Sequence, residues 1–378
     1  MRSEAAPFSS IDDALAWLDG HIDHELKTPS RRSLPTLDRT RELARLLGDP
    51  EQAYPAIHLT GTNGKGSTAA MITGLLAARG LSVGTYTSPN LSRVNERLAL
   101  SGPESPGASA IDDLSLTEVL TSLALLEPML GARPTRFELL TAAAFAWFAD
   151  VAVDAAVVEV GVGGTWDATN VVDAAVAVLT NVSYDHTDIL GPTLEGIASD
   201  KAGIVKPGAT AVVGESDPGI VSIVRSVADE AGAAQVWVLG EEFDVLANRL
   251  AVRGRLVDLR TPGGTYTDVL VPLHGGHQAL NAACALAAAE AFFASTLDPE
   301  VVRAGFGAVR VPGRLEVVGR HPLVLVDGAH NVAGTAVLAR ALVEEFSTEG
   351  LLVAAVGMLS GRDPSAMLAP LVAAGVRT

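Results

Sequence analysis

Apolar residues along this chain fall into two spacings that alternate. Short unbroken runs, "PAIHLT" (55–60), "LSVGTY" (81–86), "DAAVVEV" (154–160) and "AAVAVLTN" (174–181), have strand length and little polar interruption. Such runs suit strands of a parallel sheet covered on both faces. Between and around them, apolar positions recur at helical spacing over 9–19, 36–48, 65–79, 116–130 and 136–149. The alternation predicts an α/β core on a mostly parallel sheet. Beyond residue 208 the texture changes. "TAVVGE" and "AQVWVL" flank a helical stretch near 217–232, and residues 249–273 alternate around a "PGG" turn, which predicts small antiparallel strands. A long helix is predicted at 277–294, and "VRVPGRLE" reads as a linker. A second α/β unit follows, opening at "EVVGRHPLVLVDGAHN" (316–331), with a helix at 332–346, a strand over "LLVAAVGML" (351–359) and a helix at 364–374. "SGPESPGASA" (101–110) reads as a mobile loop. The expected boundaries are 1–309, a linker at 310–314 and a C-terminal unit at 315–378. That unit is small for an α/β domain and stops after a helix where another parallel strand is expected, so it is either compact or shortened.

Composition narrows the class. The chain has 378 residues, of which 48% are hydrophobic and only 4% aromatic, so its core is aliphatic. The length suits about two to three domains. A net charge of −17 argues against nucleic acid or an anionic membrane as partner, while leaving room for a local basic pocket. The single cysteine, Cys284, lies in an alanine-rich helical pattern and reads as a small buried hydrophobe. No intramolecular disulfide is possible, which favours a cytoplasmic protein. The N-terminal residues lack a signal-peptide pattern, and no stretch reaches the roughly 18–20 apolar residues of a membrane span.

The chemistry begins at "IHLTGTNGKGSTAAM" (57–71). A strand leads into a glycine-rich turn and then a helix that opens at a lysine. Backbone N–H groups of such a turn and the positive end of the helix suit a phosphate chain. Gly61, Gly64 and Gly66 allow close backbone approach. Lys65 can reach terminal phosphates, and Ser67 or Thr68 can offer a hydroxyl to Mg²⁺. Gly66, between Lys65 and Ser67, departs from the usual P-loop spacing. The chain has only four lysines, at 27, 65, 201 and 206, so one in this loop is not background. Glu159 closes a buried strand, where ligands bind in open α/β sheets. Asp167, Thr169 and Asn170 follow it, and Asp185, His186 and Asp188 follow the next strand. Oxygen ligands with one histidine fit Mg²⁺ better than structural zinc.

These residues sit in eight segments: "TGTNGKGS", "YTSPNLSRVNER", "RFELLTAAAF", "VVEVGVGGTWDATN", "DHTDILGPTLEGIASDKAGIVKPG", "HQALNAA", "VPGRLEVV" and "DGAHN". In order and spacing they resemble the folylpolyglutamate synthase/dihydrofolate synthase family of the Mur ligase superfamily, over about residues 10–360. The resemblance implies a P-loop-containing, Mur-ligase-like central domain followed by a smaller, incomplete Rossmann-like glutamate-ligase domain. It implies an ATP-dependent ligase that joins L-glutamate to dihydropteroate or to a folate through an acyl phosphate. By position, Gly61, Thr62, Asn63, Gly64, Lys65, Gly66 and Ser67 match the ATP loop, and Asn281, Arg314 and Asp327 match further ATP contacts. Ser67, Ser88 and Glu159 match ligands of one Mg²⁺, and His186 matches the ligand of a second. Lys201 matches a lysine that the family carbamylates. Phe137, Glu138 and Asp167 match the pterin side, and His330 lies on the ATP and glutamate side. Lys65, Lys201, His186, Arg314 and His330 are the expected catalytic set. Asn90, Thr165, Asp200 and Val332 stand where the family more often has histidine, a basic residue, glutamate and proline. A monomer is expected, with association if the last domain is truly short. Two other readings remain open: the same chemistry on a non-folate carboxylate, and a non-catalytic ATP-binding paralogue.

Overall fold

The buried runs pair with one another. The computed structural model describes residues 7–24, 36–346, 350–359 and 362–377. The first six residues and Lys27, read above from sequence, lie outside the described residues. One sheet contains β1 (Ala56–Thr60), β2 (Val83–Tyr86), β3 (Leu98–Gly102), β4 (Ser105–Ala110), β5 (Ala155–Glu159), β6 (Val176–Leu179), β7 (Thr210–Val213) and β8 (Gln235–Val238). Its order is β4-β3-β2-β5-β1-β6-β7-β8. Strands from β2 through to β8 in that order are parallel, and β3 and β4 are antiparallel additions at one edge. A second sheet, β9 (Asp244–Ala251), β10 (Gly254–Thr261) and β11 (Gly264–Val271), is antiparallel, as the alternation predicts. Towards the C-terminus, β12 (Glu316–Arg320) and β13 (Leu323–Val326) form a hairpin, and β14 (Leu352–Val353) pairs in parallel with β15 (Val376–Arg377).

The helices are α1 (Ile11–Asp19), α2 (Leu37–Leu47), α3 (Lys65–Ala78), α4 (Asp113–Leu126), α5 (Arg136–Asp150), α6 (Thr187–Leu190), α7 (Leu194–Ala202), α8 (Pro218–Ala231), α9 (Gln278–Phe293), α10 (Pro299–Gly307), α11 (Val332–Glu345) and α12 (Pro364–Ala373). Their starts follow local chemistry. Asp217, Asp298 and Asp363 cap α8, α10 and α12, each followed by proline at the first helical position. Thr135 and Glu138 form a capping box at α5.

These elements stack in layers. α3, α9, α10 and the antiparallel sheet share one apolar core with β1, β5 and β6. α1, α4 and α5 cover the other face, packed on β1, β2 and β5. α3 and α10 cross closely at glycines, since a Cβ on Gly74 would lie 2.5 Å from the Gly305 carbonyl oxygen. Leu315, Ala339, Ala341, Leu342, Leu371 and Val376 make a separate small core.

Two sequence expectations are corrected. Residues 101–110 are not a loop: they end β3 and form β4, the paired edge of the main sheet. The run 351–359 is a strand only at Leu352–Val353, because just this pair finds a partner, β15. That partner is the parallel strand expected after α12.

Candidate active site

β1 delivers the chain to a turn at 61–64, and α3 opens at Lys65. Two glycines make the turn possible. Gly61 and Gly64 have φ of 147° and 85°, and Gly64 is the helix cap. A Cβ on Gly61 would collide with Thr180 Oγ1, and one on Gly64 would lie 2.5 Å from Asn281 Oδ1. Thr180 and Asn181, just past β6, and Asn281, in α9, therefore brace the turn from behind. Thr180 Oγ1 and Asn181 Nδ2 donate to the Asn63 carbonyl at 2.7 and 2.9 Å. The Asn63 N–H returns a bond to Asn181 Oδ1 at 3.0 Å. The result is a braced cradle with the start of a long helix behind it, the geometry that takes a phosphate chain.

Two lysines meet at the cradle. Lys65 Nζ and Lys201 Nζ both donate to the Gly61 carbonyl, at 3.1 and 3.0 Å. Lys201 lies in the last turn of α7 and is buried. Burial, with the Lys65 charge beside it, lowers its pKa to about 7, against the pull of Asp200, Asp185 and Asp167. A fair share of this amine is therefore neutral and nucleophilic near neutrality.

Glu159 stands at the carboxyl end of β5, buried at 4% exposure. Burial raises its pKa, although Lys65, the Ser88 N–H, Arg314 and Arg97 oppose that. The Ser88 N–H reaches Glu159 Oε2 at 3.3 Å. A buried carboxylate held so lightly fits a hard divalent cation. Ser67, in the first turn of α3, and Ser88 line the same space, whereas Thr68, the other hydroxyl considered, does not. Among the described residues no group of three histidine, cysteine or acidic side chains could hold a metal. One carboxylate with two hydroxyls is a donor set Mg²⁺ can take, since it completes its shell with water and phosphate oxygens. His186 sits in the left-handed region, φ 48°, at the start of α6. Burial lowers its pKa to about 4, helped by Arg362, Lys65 and Lys201 and opposed by Asp185. It is thus a neutral imidazole near neutrality, the form that binds metals.

The residues matched to the catalytic, ATP, metal and pterin roles all line one cleft of about 1640 Å³, whereas Thr68, Thr169 and Asn170 do not. Several have their carboxylates engaged by backbone. Glu138 accepts from the Thr135 N–H at 2.7 Å and from Arg39, with Nε and Nη2 at 3.0 and 2.8 Å. Asp167 accepts from the N–H groups of Val162 and Thr169 and from the Thr169 hydroxyl. Asp327 accepts from the N–H groups of Leu315 and Ala329, each at 2.8 Å. Phe137 packs its ring against Gly161, where a Cβ would sit 2.7 Å from Cζ. Arg314 packs so close to Gly328 that any Cβ there would strike its guanidinium. His330 is 55% exposed in its side chain. Thr180, Asn181 and Arg362 also line the cleft and were not singled out from sequence. Thr180 and Asn181, just past "AVAVL", were the available signal, since polar residues at a parallel strand's carboxyl end face ligands.

The Mur ligase middle domain profile matches residues 115–289. Dihydrofolate synthase/folylpolyglutamate synthase of Mycobacterium tuberculosis is 42% identical over 369 residues, 93% of this chain and 75% of that protein. Folylpolyglutamate synthase of Lacticaseibacillus casei is 36% identical over 352 residues, covering 90% of this chain and 81% of its own. Among solved structures, Mycobacterium tuberculosis folylpolyglutamate synthase complexed with ADP superposes with a TM-score of 0.87 at 40% identity, over 96% of this chain and 80% of that one. An FPGS–AMPPCP–folate complex superposes with a TM-score of 0.86 at 33% identity, over 98% and 88%.

Proposed function

The chain belongs to the folylpolyglutamate synthase/dihydrofolate synthase family of the Mur ligase superfamily, and we propose that it joins L-glutamate to dihydropteroate, to the γ-carboxylate of a folate, or to both. It is an ATP-dependent ligase. The observation that carries the phosphoryl-transfer reading is the convergence of Lys65 and Lys201 on the Gly61 carbonyl, within the cleft that Glu159 and the pterin-side residues share; the choice of a pterin acid is supported by the likeness to folate ligases.

In this reading a substrate carboxylate oxygen attacks the γ-phosphorus of ATP, the bond to ADP breaks, and an acyl phosphate forms. The amine of L-glutamate then attacks the acyl carbon, phosphate leaves, and the amine loses its proton. Phosphoryl transfer asks the protein mainly for positioning and charge. The cradle at 61–67 orients the phosphate chain, and Lys65 meets charge growing on the transferred group. Glu159, Ser67 and Ser88 would hold one Mg²⁺ and His186 a second; these ions would neutralise phosphate oxygens. The Lys201 amine, neutral in part near pH 7, can take up CO₂ as a carbamate, which exchanges a cation for an anion beside the cations. Phe137 offers an aromatic face for the pterin ring. Arg314 and Asp327 serve the nucleotide, and His330 the glutamate side. Residues 1–309 act as the ATP-binding unit, 310–314 as linker and 315–378 as the glutamate-side unit. Among the described residues no helix is long and apolar enough to cross a membrane, and we place the enzyme in the cytoplasm as a monomer.

Phosphate release tests this directly, with ATP, Mg²⁺, L-glutamate and a panel of acids. Release is expected only when dihydropteroate or a folate joins glutamate. Release with an unrelated acid instead would assign another substrate. No turnover by a folded chain would remove the activity altogether.

A further inference from the structure

One carboxylate ties the two sides of the cleft together. Asp185 lies past β6 and its side chain is 6% exposed. Oδ1 accepts from Arg362 Nη1 at 2.5 Å and from the backbone N–H of His186 at 2.9 Å. Oδ2 accepts from Asn331 Nδ2 at 2.8 Å, with His330 Nε2 at 3.6 Å. Asn331 also exchanges amide bonds with Asn63 of the phosphate turn, at 3.1 and 3.3 Å, while its Oδ1 caps α11 through the Gly334 N–H. Arg362, Asn331 and His330 all come from the segment after the linker. Asp185, His186 and Asn63 all come from the ends of the main sheet.

The far end of α11 is fastened separately. Glu345 accepts from Arg255 Nη1 at 3.0 Å and from the Gly275 N–H at 2.9 Å, and it lies 3.0 Å from His274 Nδ1. Its side chain is 1% exposed. The C-terminal segment therefore stays attached by Glu345 and Arg255 whatever happens at Asp185. What the Arg362 contact governs is local. It holds the oxygen that also receives the His186 N–H, so it fixes the peptide that sends His186 into its left-handed turn.

We propose that Arg362 is a positioning residue: by gripping Asp185 across the cleft it sets the His186 backbone and so places the imidazole. The kinetic part rests on the ligase reading; the structural part does not. Arg362→Ala is expected to lower kcat by about 10- to 100-fold, the usual consequence of a small misplacement near the reacting centre. KM for the pterin substrate should stay within about twofold, because Arg362 then adds no binding of its own. Arg362→Lys should recover most of kcat. Asp185→Asn/Arg362→Ala should be no worse than the more damaged single variant, since both act through one contact. In the substrate-free chain, hydrogen exchange at the amides of residues 186–190 should quicken in Arg362→Ala, while amides of α11 near Glu345 stay protected. An unchanged kcat would overturn the proposal, and so would losses that multiply in the double variant, which would put Arg362 on the substrate itself. Unchanged exchange at 186–190 would overturn it too. If the wild-type chain turns over no member of the substrate panel, the ligase reading fails, and the exchange comparison still decides whether the contact sets His186.

Discussion

The two walls of the cleft are built from similar apolar strands but are held by different means. On one wall, every residue of β1 and β5 is buried, with helices packed on both faces of the sheet. Gly61, Lys65, Glu159 and Lys201 hang from the ends of those strands and the helices beside them, and Thr180, Asn181 and Asn281 brace them. On the other wall, Arg314, Asp327 and His330 extend from the β12–β13 hairpin, where Val318, Leu323, Val324 and Val326 are exposed. Its small core lies around α11 and α12, and polar anchors at Asn331 and Glu345 do much of the fastening. An apolar run therefore fixes strand conformation, while burial depends on which layers arrive above and below it. The first wall is preorganised by packing. The second is placed by a few directional contacts.

The comparison predicts graded effects. Leu75→Ala should be the most damaging, because Leu75 is fully buried where α3 meets α10. A loss of about 2–5 kcal/mol is expected in urea unfolding. Next comes Lys201→Ala, which should lower turnover by about 10²–10³-fold, the scale for losing one preorganised charge at a reacting site. With a Lys201 pKa near 7, the neutral amine fraction rises as pH passes upward through neutrality. The carbamate signal from ¹³C-labelled bicarbonate should therefore grow from about pH 6 to pH 8, set by that folded-state value and not by the ordinary lysine range, and be absent in Lys201→Ala. Near-wild-type turnover in that variant would reject the assignment. The smallest effect belongs to Val324→Ala, within about 0.5 kcal/mol, as for other exposed positions. If Val324→Ala cost as much as Leu75→Ala, the hairpin would have to be packed like the sheet, and the contrast between the walls would collapse.

Much of the first wall was legible in the sequence. A strand, a glycine turn and a helix opening at Lys65 occur in that order, and parallel strands bring Glu159 and His186 to the same edge as the turn. The motif residues thus converge even though they come from distant segments. The bracing was not legible. Asn281 touches Gly64 only because α9 packs behind α3, and Arg362 meets Asp185 across 177 positions of sequence. Nor does a carboxylate in a motif reveal whether it faces a ligand or its own backbone: Glu138, Asp167 and Asp327 all bind backbone N–H groups. Residues 101–110 misled because their prolines and glycines weigh against strand by propensity, while pairing with β3 overrides it. α10 was missed despite Asp298 and Pro299, a cap and first-turn pair that marks a helix start.

The central chemistry proposed for this enzyme is the use of ATP to activate a substrate carboxylate for attack by glutamate. Isotope transfer tests it most directly. With the accepted pterin substrate labelled by ¹⁸O in the reacting carboxylate, the phosphate released during ligation should carry one labelled oxygen, and release should require L-glutamate. Unlabelled phosphate accompanying product, or ATP hydrolysis at the same rate without the pterin acid, would contradict the account.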